Sequence, residues 1–75
     1  MRVEFYEVDW ATGEDRLLGS ISLDESGLVG HPQKGAEVFI DRMLDKAKEA
    51  DDAEKWLRSL PETWSNSISW VEIIE

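Results

Sequence analysis

The stretch AEVFIDRMLDKAKEA, residues 36–50, decides how the rest of the chain must fold. At 100° per residue, Ala36, Phe39, Ile40, Met43, Leu44, Ala47 and Ala50 fall within an arc of about 140°, the apolar stripe of a helix lying on a core. The helical signal begins near Lys34. Such a stripe needs a surface to cover, and the flanking segments supply one. From Arg2 to Trp10, Val, Phe, Tyr and Trp are interleaved with acids, as in a half-exposed strand. Val3 and Phe5 share one face and Tyr6, Val8 and Trp10 the other, so either a bulge sits near Tyr6 or both faces are partly covered. Residues 11–15 (ATGED) are a turn signal, and Arg16 to Leu23 follows as a second strand. Simple alternation puts Leu17, Gly19, Ile21 and Leu23 on one face and Leu18, Ser20 and Ser22 on the other. The two runs read as a β-hairpin with a loop longer than the tightest turns.

Residues 24–33 carry two glycines and a proline and read as a loop, in which Leu28-Val29 allows a short strand or a tuck into the core. After the helix, Asp51 or Asp52 supplies a cap, and Asp51 to Glu54 has capping-box spacing. A second short helix, with Trp56, Leu57 and Leu60 as its apolar edge, is expected to run to Leu60, where Pro61 stops it. A polar loop through Ser65-Asn66-Ser67 leads to Ile68–Ile74, β-branched and aromatic enough for a last strand. The expected fold is a single α+β domain spanning residues 1–75, ordered β-β-α-α-β. Its three-stranded sheet has order 2-1-3, with both helices packed on one face.

The chain has 75 residues, no cysteine, and 17 Asp and Glu against 8 Lys and Arg, a formal charge of −9. At this length roughly 60% of the unfolded surface is buried, enough for one layer of helix on one small sheet. No disulfide or zinc thiolate cluster staples it, so packing must supply the stability. No apolar run approaches the about 20 residues of a membrane span, and residues 1–7 alternate charged with apolar side chains, unlike a signal peptide. The expected compartment is the cytoplasm, with no membrane partner. Direct binding to nucleic acid is disfavoured, because duplex DNA is bound by exchanging counterions for Lys and Arg. A basic protein surface is the natural partner instead.

Chemistry finds little to stand on. His31 is the only histidine, so neither a Ser-His-Asp arrangement nor a His-rich zinc site is supported, and His31 reads as an exposed or turn-packing residue. Gly27, Gly30 and Gly35 match neither Walker nor Rossmann spacing. Residues 45–54 lack the alternating acids of a calcium loop, and Asp24-Glu25-Ser26-Gly27 is short and incomplete. No catalytic residue, metal site or cofactor is therefore expected, and the chain reads as non-enzymatic.

Acids and tryptophans carry the functional reading. Glu37, Asp41, Asp45 and Glu49 recur every four residues, a row with about 6 Å between neighbours on the helix side opposite the core. Like charges so placed cost a few tenths of a kcal/mol per pair, partly offset by Arg42, Lys46 and Lys48 beside them. One reading is an ordinary solvated face. The sharper one continues the row through Asp51, Asp52 and Glu54 as a nucleic-acid mimic that docks on a basic, nucleic-acid-binding groove. Val38 lies among these acids outside the apolar arc. The chain holds 4 Trp, a residue enriched where binding energy concentrates. Trp56 and Trp70 are expected in the core, whereas Trp10 and Trp64, near loop edges, are candidate apolar anchors. The Leu17–Leu23 and Ile68–Ile74 strands would each leave an open edge, through which a homodimer could pair.

In size and charge the chain resembles small, acidic, cysteine-free α+β inhibitors encoded by phages against host defence, including anti-CRISPR proteins and DNA mimics, and it also resembles antitoxins. The resemblance carries no motif. It implies a protein–protein interaction partner with a basic surface and an inhibiting or modulating role, with binding residues Glu37, Asp41, Asp45, Glu49, Asp51, Asp52, Glu54, Trp10 and Trp64. The alternative is a structural or housekeeping module whose acids keep it soluble, dimeric through a strand edge.

Overall fold

The computed structural model describes residues 1–64 and 68–75, and the expected polar loop through Ser65-Asn66-Ser67 lies outside them. The element order is β1 (Arg2–Val8), β2 (Asp15–Asp24), β3 (Gly27–Pro32), α1 (Glu37–Glu49), α2 (Ala53–Thr63) and β4 (Ser69–Ile74). The α+β class stands, but the sheet has four strands in order β3-β2-β1-β4, every pairing antiparallel. The expected arrangement of β2, β1 and the last strand is retained. What changes is the segment after Asp24, which returns along β2 with Leu28 opposite Leu23 and Pro32 opposite Gly19. Consequently β2 is an interior strand and the open edge expected along Leu17–Leu23 does not exist.

A bulge sets the register of the hairpin. Phe5 pairs with Gly19 and Tyr6 with Leu17, so Leu18 and Gly19 together oppose one residue of β1. The irregularity thus falls at Phe5–Tyr6, while its extra residue belongs to β2. Past the bulge the faces exchange. Leu18 turns into the core and Leu17, expected on the same face as Ile21, turns out with Tyr6. β1 itself stays regular against β4, with Val3 opposite Ile73 and Phe5 opposite Val71.

The core lies between the helices and one sheet face: Val3, Phe5, Leu18, Ile21 and Val71 below, Ile40, Met43, Ala47, Leu57 and Leu60 above. Of the α1 stripe, Ala36, Ile40, Met43 and Ala47 are buried, and Phe39 and Leu44 flank them. Phe5 meets Phe39 edge-on, ring centroids 5.6 Å apart. α1 starts at Glu37, three residues after the first helical signal, because Gly35 (φ +94°) breaks the turn before it. Asp52, not Asp51, caps α2, its carboxylate accepting the Lys55 N–H at 3.1 Å. The Asp51–Glu54 capping box does not form, since with Asp52 at the cap the third helical position is Lys55, and Glu54 pairs with Arg58 instead. Nor does Pro61 end the helix. Placed in the last turn, it forfeits only the bond its missing N–H would give Leu57, and α2 runs to Thr63, closed by Trp64 N–H on the Leu60 carbonyl at 2.8 Å.

Close approach of α1 to the sheet depends on two glycines. A Cβ at Gly19, where φ is +150°, would stand 2.7 Å from the His31 carbonyl oxygen and 2.8 Å from Ile40 Cγ1. At Gly30 it would meet Ile40 and Leu44 side chains at 3.2 and 3.3 Å. Gly19→Ala is therefore expected to destabilise by about 2 kcal/mol, since backbone must move. Gly30→Ala should cost less, because side chains can yield. Urea unfolding of both variants checks the order, and an equal or reversed ranking would place the tight contact elsewhere.

Candidate functional site

Two surfaces stand out, the outer side of the helices and the sheet face that no described helix covers. On α1, Glu37, Asp41, Asp45 and Glu49 are all exposed, as are Asp51, Asp52 and Glu54 beyond it. The seven are not equivalent. Glu37 reaches back to accept the Gly35 N–H at 2.9 Å, which steadies the helix start. Asp52 is the α2 cap. Glu54 accepts from Arg58 Nε at 3.1 Å, and the same guanidinium grips both oxygens of Glu75 at 2.7 and 3.2 Å, tying α2 to the chain beyond β4. Hydrogen bonding from Arg58 holds the Glu75 carboxyl below its ordinary value. Asp41, Asp45, Glu49 and Asp51 make no ion pair or side-chain hydrogen bond among the described residues. Val38, beside them, is 71% exposed.

The row leads into a depression of about 360 Å³ at the α1–α2 junction, lined by Ala50, Asp51, Asp52, Lys55, Trp56 and Ser59. Trp56 is half-buried there, with one side packed on the core. Sequence reasoning placed it in the core, and it does pack there, but periodicity marks which face a side chain takes and not how far a helix–helix notch opens over it. Trp64 is half-buried against Phe39, centroids 5.7 Å apart, and closes the core at the end of α2. Trp10 lies at the hairpin turn and is 79% exposed.

The helix-free sheet face was not anticipated as a site. Because Leu17 turns outward, the row Leu17–Tyr6–Trp70 crosses three strands, bordered by Val8 and Ile68 on one side and by Ser20–Glu4–Glu72 on the other. Trp70, expected in the core, stacks instead on Tyr6 with centroids 5.7 Å apart and planes 9° from parallel. Tyr6 donates its hydroxyl to Glu4 Oε1 at 3.1 Å, and Arg2 Nε stands 3.7 Å from Glu4 Oε2. Glu4 and Glu72 are direct cross-strand partners, an arrangement that is repulsive for like charges. His31 is not in a turn but on β3, exposed at the end of this acidic row opposite Ser20.

Among the described residues no group of three or more His, Asp or Glu is arranged to hold a metal ion. Nor, among the described residues, is any helix long and apolar enough to cross a membrane. Comparison with protein-family models, curated proteins and solved structures gives no match.

Tyr6 reports on its surroundings directly, because it is the only tyrosine. Partial burial raises its pKa above the ordinary phenol value, followed by its hydrogen bond to Glu4 and the charges of Glu4 and Glu72. A group that ionises to an anion and has a raised folded pKa favours the fold below its unfolded value. That contribution is lost as pH climbs toward the folded one. Ultraviolet titration should place the phenol midpoint above that of the unfolded chain, and Glu4→Gln should bring it back part of the way, since burial and the Glu72 charge remain. A midpoint insensitive to Glu4→Gln would show that the carboxylate does not act on the ring.

Proposed function

We propose that this chain is a non-enzymatic protein-binding protein that docks on a basic, nucleic-acid-binding surface of a partner and so blocks or modulates it. The observation that carries the reading is the set Asp41, Asp45, Glu49 and Asp51, exposed along α1 and its exit and engaged by no cation of the described residues. Acids that cap or clamp the fold, as Glu37, Asp52 and Glu54 do, have a structural reason to be where they are. The unengaged four do not. They lie along a helix of 13 residues, about 20 Å long, with Val38 exposed among them and the Trp56 depression at one end. Such a ridge fits a groove shaped for a phosphate backbone, its carboxylates meeting the Lys and Arg that would otherwise meet phosphates. Inhibitors of host defence of the anti-CRISPR kind and antitoxins are the classes whose chemistry this matches. The cytoplasm, where such partners work, is the compartment the reading implies.

The test pairs charge reversal with competition. Protein captured from the native host on the immobilised chain should be displaced by added duplex DNA. The Asp41→Lys/Asp45→Lys variant should capture at least about tenfold less, with circular dichroism unchanged. Binding should also weaken steeply from low to high salt, because exposed charge contacts are screened over about 8 to 10 Å near physiological ionic strength. Capture that ignores DNA, salt and the double reversal would leave the acids as solubilising charge.

A further inference from the structure

We propose that the helix-free face of the sheet is a second docking surface, one that takes an arginine-bearing segment of a partner protein, with the guanidinium laid against the Tyr6–Trp70 ring pair and hydrogen-bonded to Glu72 and Glu4. This goes beyond the helix-row reading and does not rest on it, since the two surfaces lie on opposite sides of the sheet.

The face is apolar and open. Tyr6, Val8, Leu17 and Trp70 are only half-buried, Ile68 and Val29 are 46% and 43% exposed, and both helices pack on the other side. Its occupant is selected by charge. Asp15, Glu4 and Glu72 point outward from three strands, against Arg2 alone. Directly paired residues hold their Cα atoms about 5 Å apart, so Glu4 and Glu72 repel across the pairing unless a cation lies between them. Arg2 answers this only in part. It stands 3.7 Å from Glu4, beyond hydrogen-bond distance, and makes no ion pair with Glu72.

A second copy of the chain is a poor occupant. Sheet-on-sheet packing would press Glu4 and Glu72 of two molecules into one interface, with −9 on each chain and Arg2 as the cation beside them in each copy. A guanidinium is a good one. It is planar, stacks on aromatic faces, is weakly hydrated and donates in a fork that can serve two carboxylates at once, whereas an ammonium does none of these as well. The stacked rings provide the aromatic surface, and the carboxylates stand two residues along the strands from them on the same face.

The probe is a short arginine-rich peptide and its lysine-for-arginine counterpart, titrated into the full chain carrying Asp41→Lys/Asp45→Lys so that the helix row does not compete. Amide resonances around Tyr6, Glu4, Trp70 and Glu72 should shift. The arginine peptide should bind at least about threefold tighter than the lysine peptide. Glu72→Gln, at an exposed position, should weaken it by about the same factor with the fold intact, and Trp70→Leu should remove the preference for arginine. Equal binding of the two peptides, shifts confined to α1 and α2, or light scattering that shows this face consumed by self-association would each overturn the proposal. None of these results bears on capture through the helix row, so the two readings fail separately.

Discussion

The bulge at Leu18–Gly19 is the constraint on which the rest of the structure depends. Two residues of β2 facing one of β1 let Leu18 and Gly19 lie on the core side together, the first filling space and the second leaving it empty. The empty space is taken by Ile40, whose Cγ1 comes within 2.8 Å of where a Cβ would be. With α1 seated that low, β3 must also yield, and Gly30 gives room to Ile40 and Leu44. The same step sends Leu17 to the opposite face, beside Tyr6 and Trp70. One extra residue thus determines both how closely the helix layer packs and what the bare sheet face displays.

This also explains which parts of the fold could be read in advance. The α1 stripe was legible because helical periodicity survives any register of the sheet beneath it. β3 was legible only as a short strand allowed at Leu28-Val29, since Gly27, Gly30 and Pro32 are residues that break strands, and here Gly30 is required by the approach of a helix distant in sequence. Alternation along Arg16–Leu23 predicted the wrong faces for Leu17 and Leu18, because a bulge leaves no local mark when the glycine it uses also fits a regular strand. The faces of β1 nevertheless signalled that something had to give near Tyr6. Pro61 misled for a similar reason, as its cost depends on position within the helix and is small in the last turn.

Of the candidate site, the acids on α1 were legible as a row and not as a set with different duties. Only the folded structure assigns Glu37 to Gly35, Asp52 to Lys55 and Glu54 to Arg58. The tryptophans divided less predictably, because a loop-edge position says little about what folds over it. Trp64 and Trp10 share that description in the sequence, yet one closes the core against Phe39 and the other stands in solvent.

The net charge of −9 now has a distribution. Part of it is absorbed by caps and by the Arg58 clamp, part stands unengaged on α1, and part lies on the bare sheet face around an aromatic pair. A charge that served solubility alone would have no reason to sit beside stacked rings, where desolvation by any apolar neighbour makes it costly. Glu4 and Glu72 do sit there, opposite one another. The same placement that raises the cost of self-association lowers the cost of receiving a cation, because a guanidinium relieves the repulsion and covers the rings in one step. Under the two proposals, acidity in this chain acts as a selector: like charge opposes pairing of either surface with its own copy and favours a basic partner.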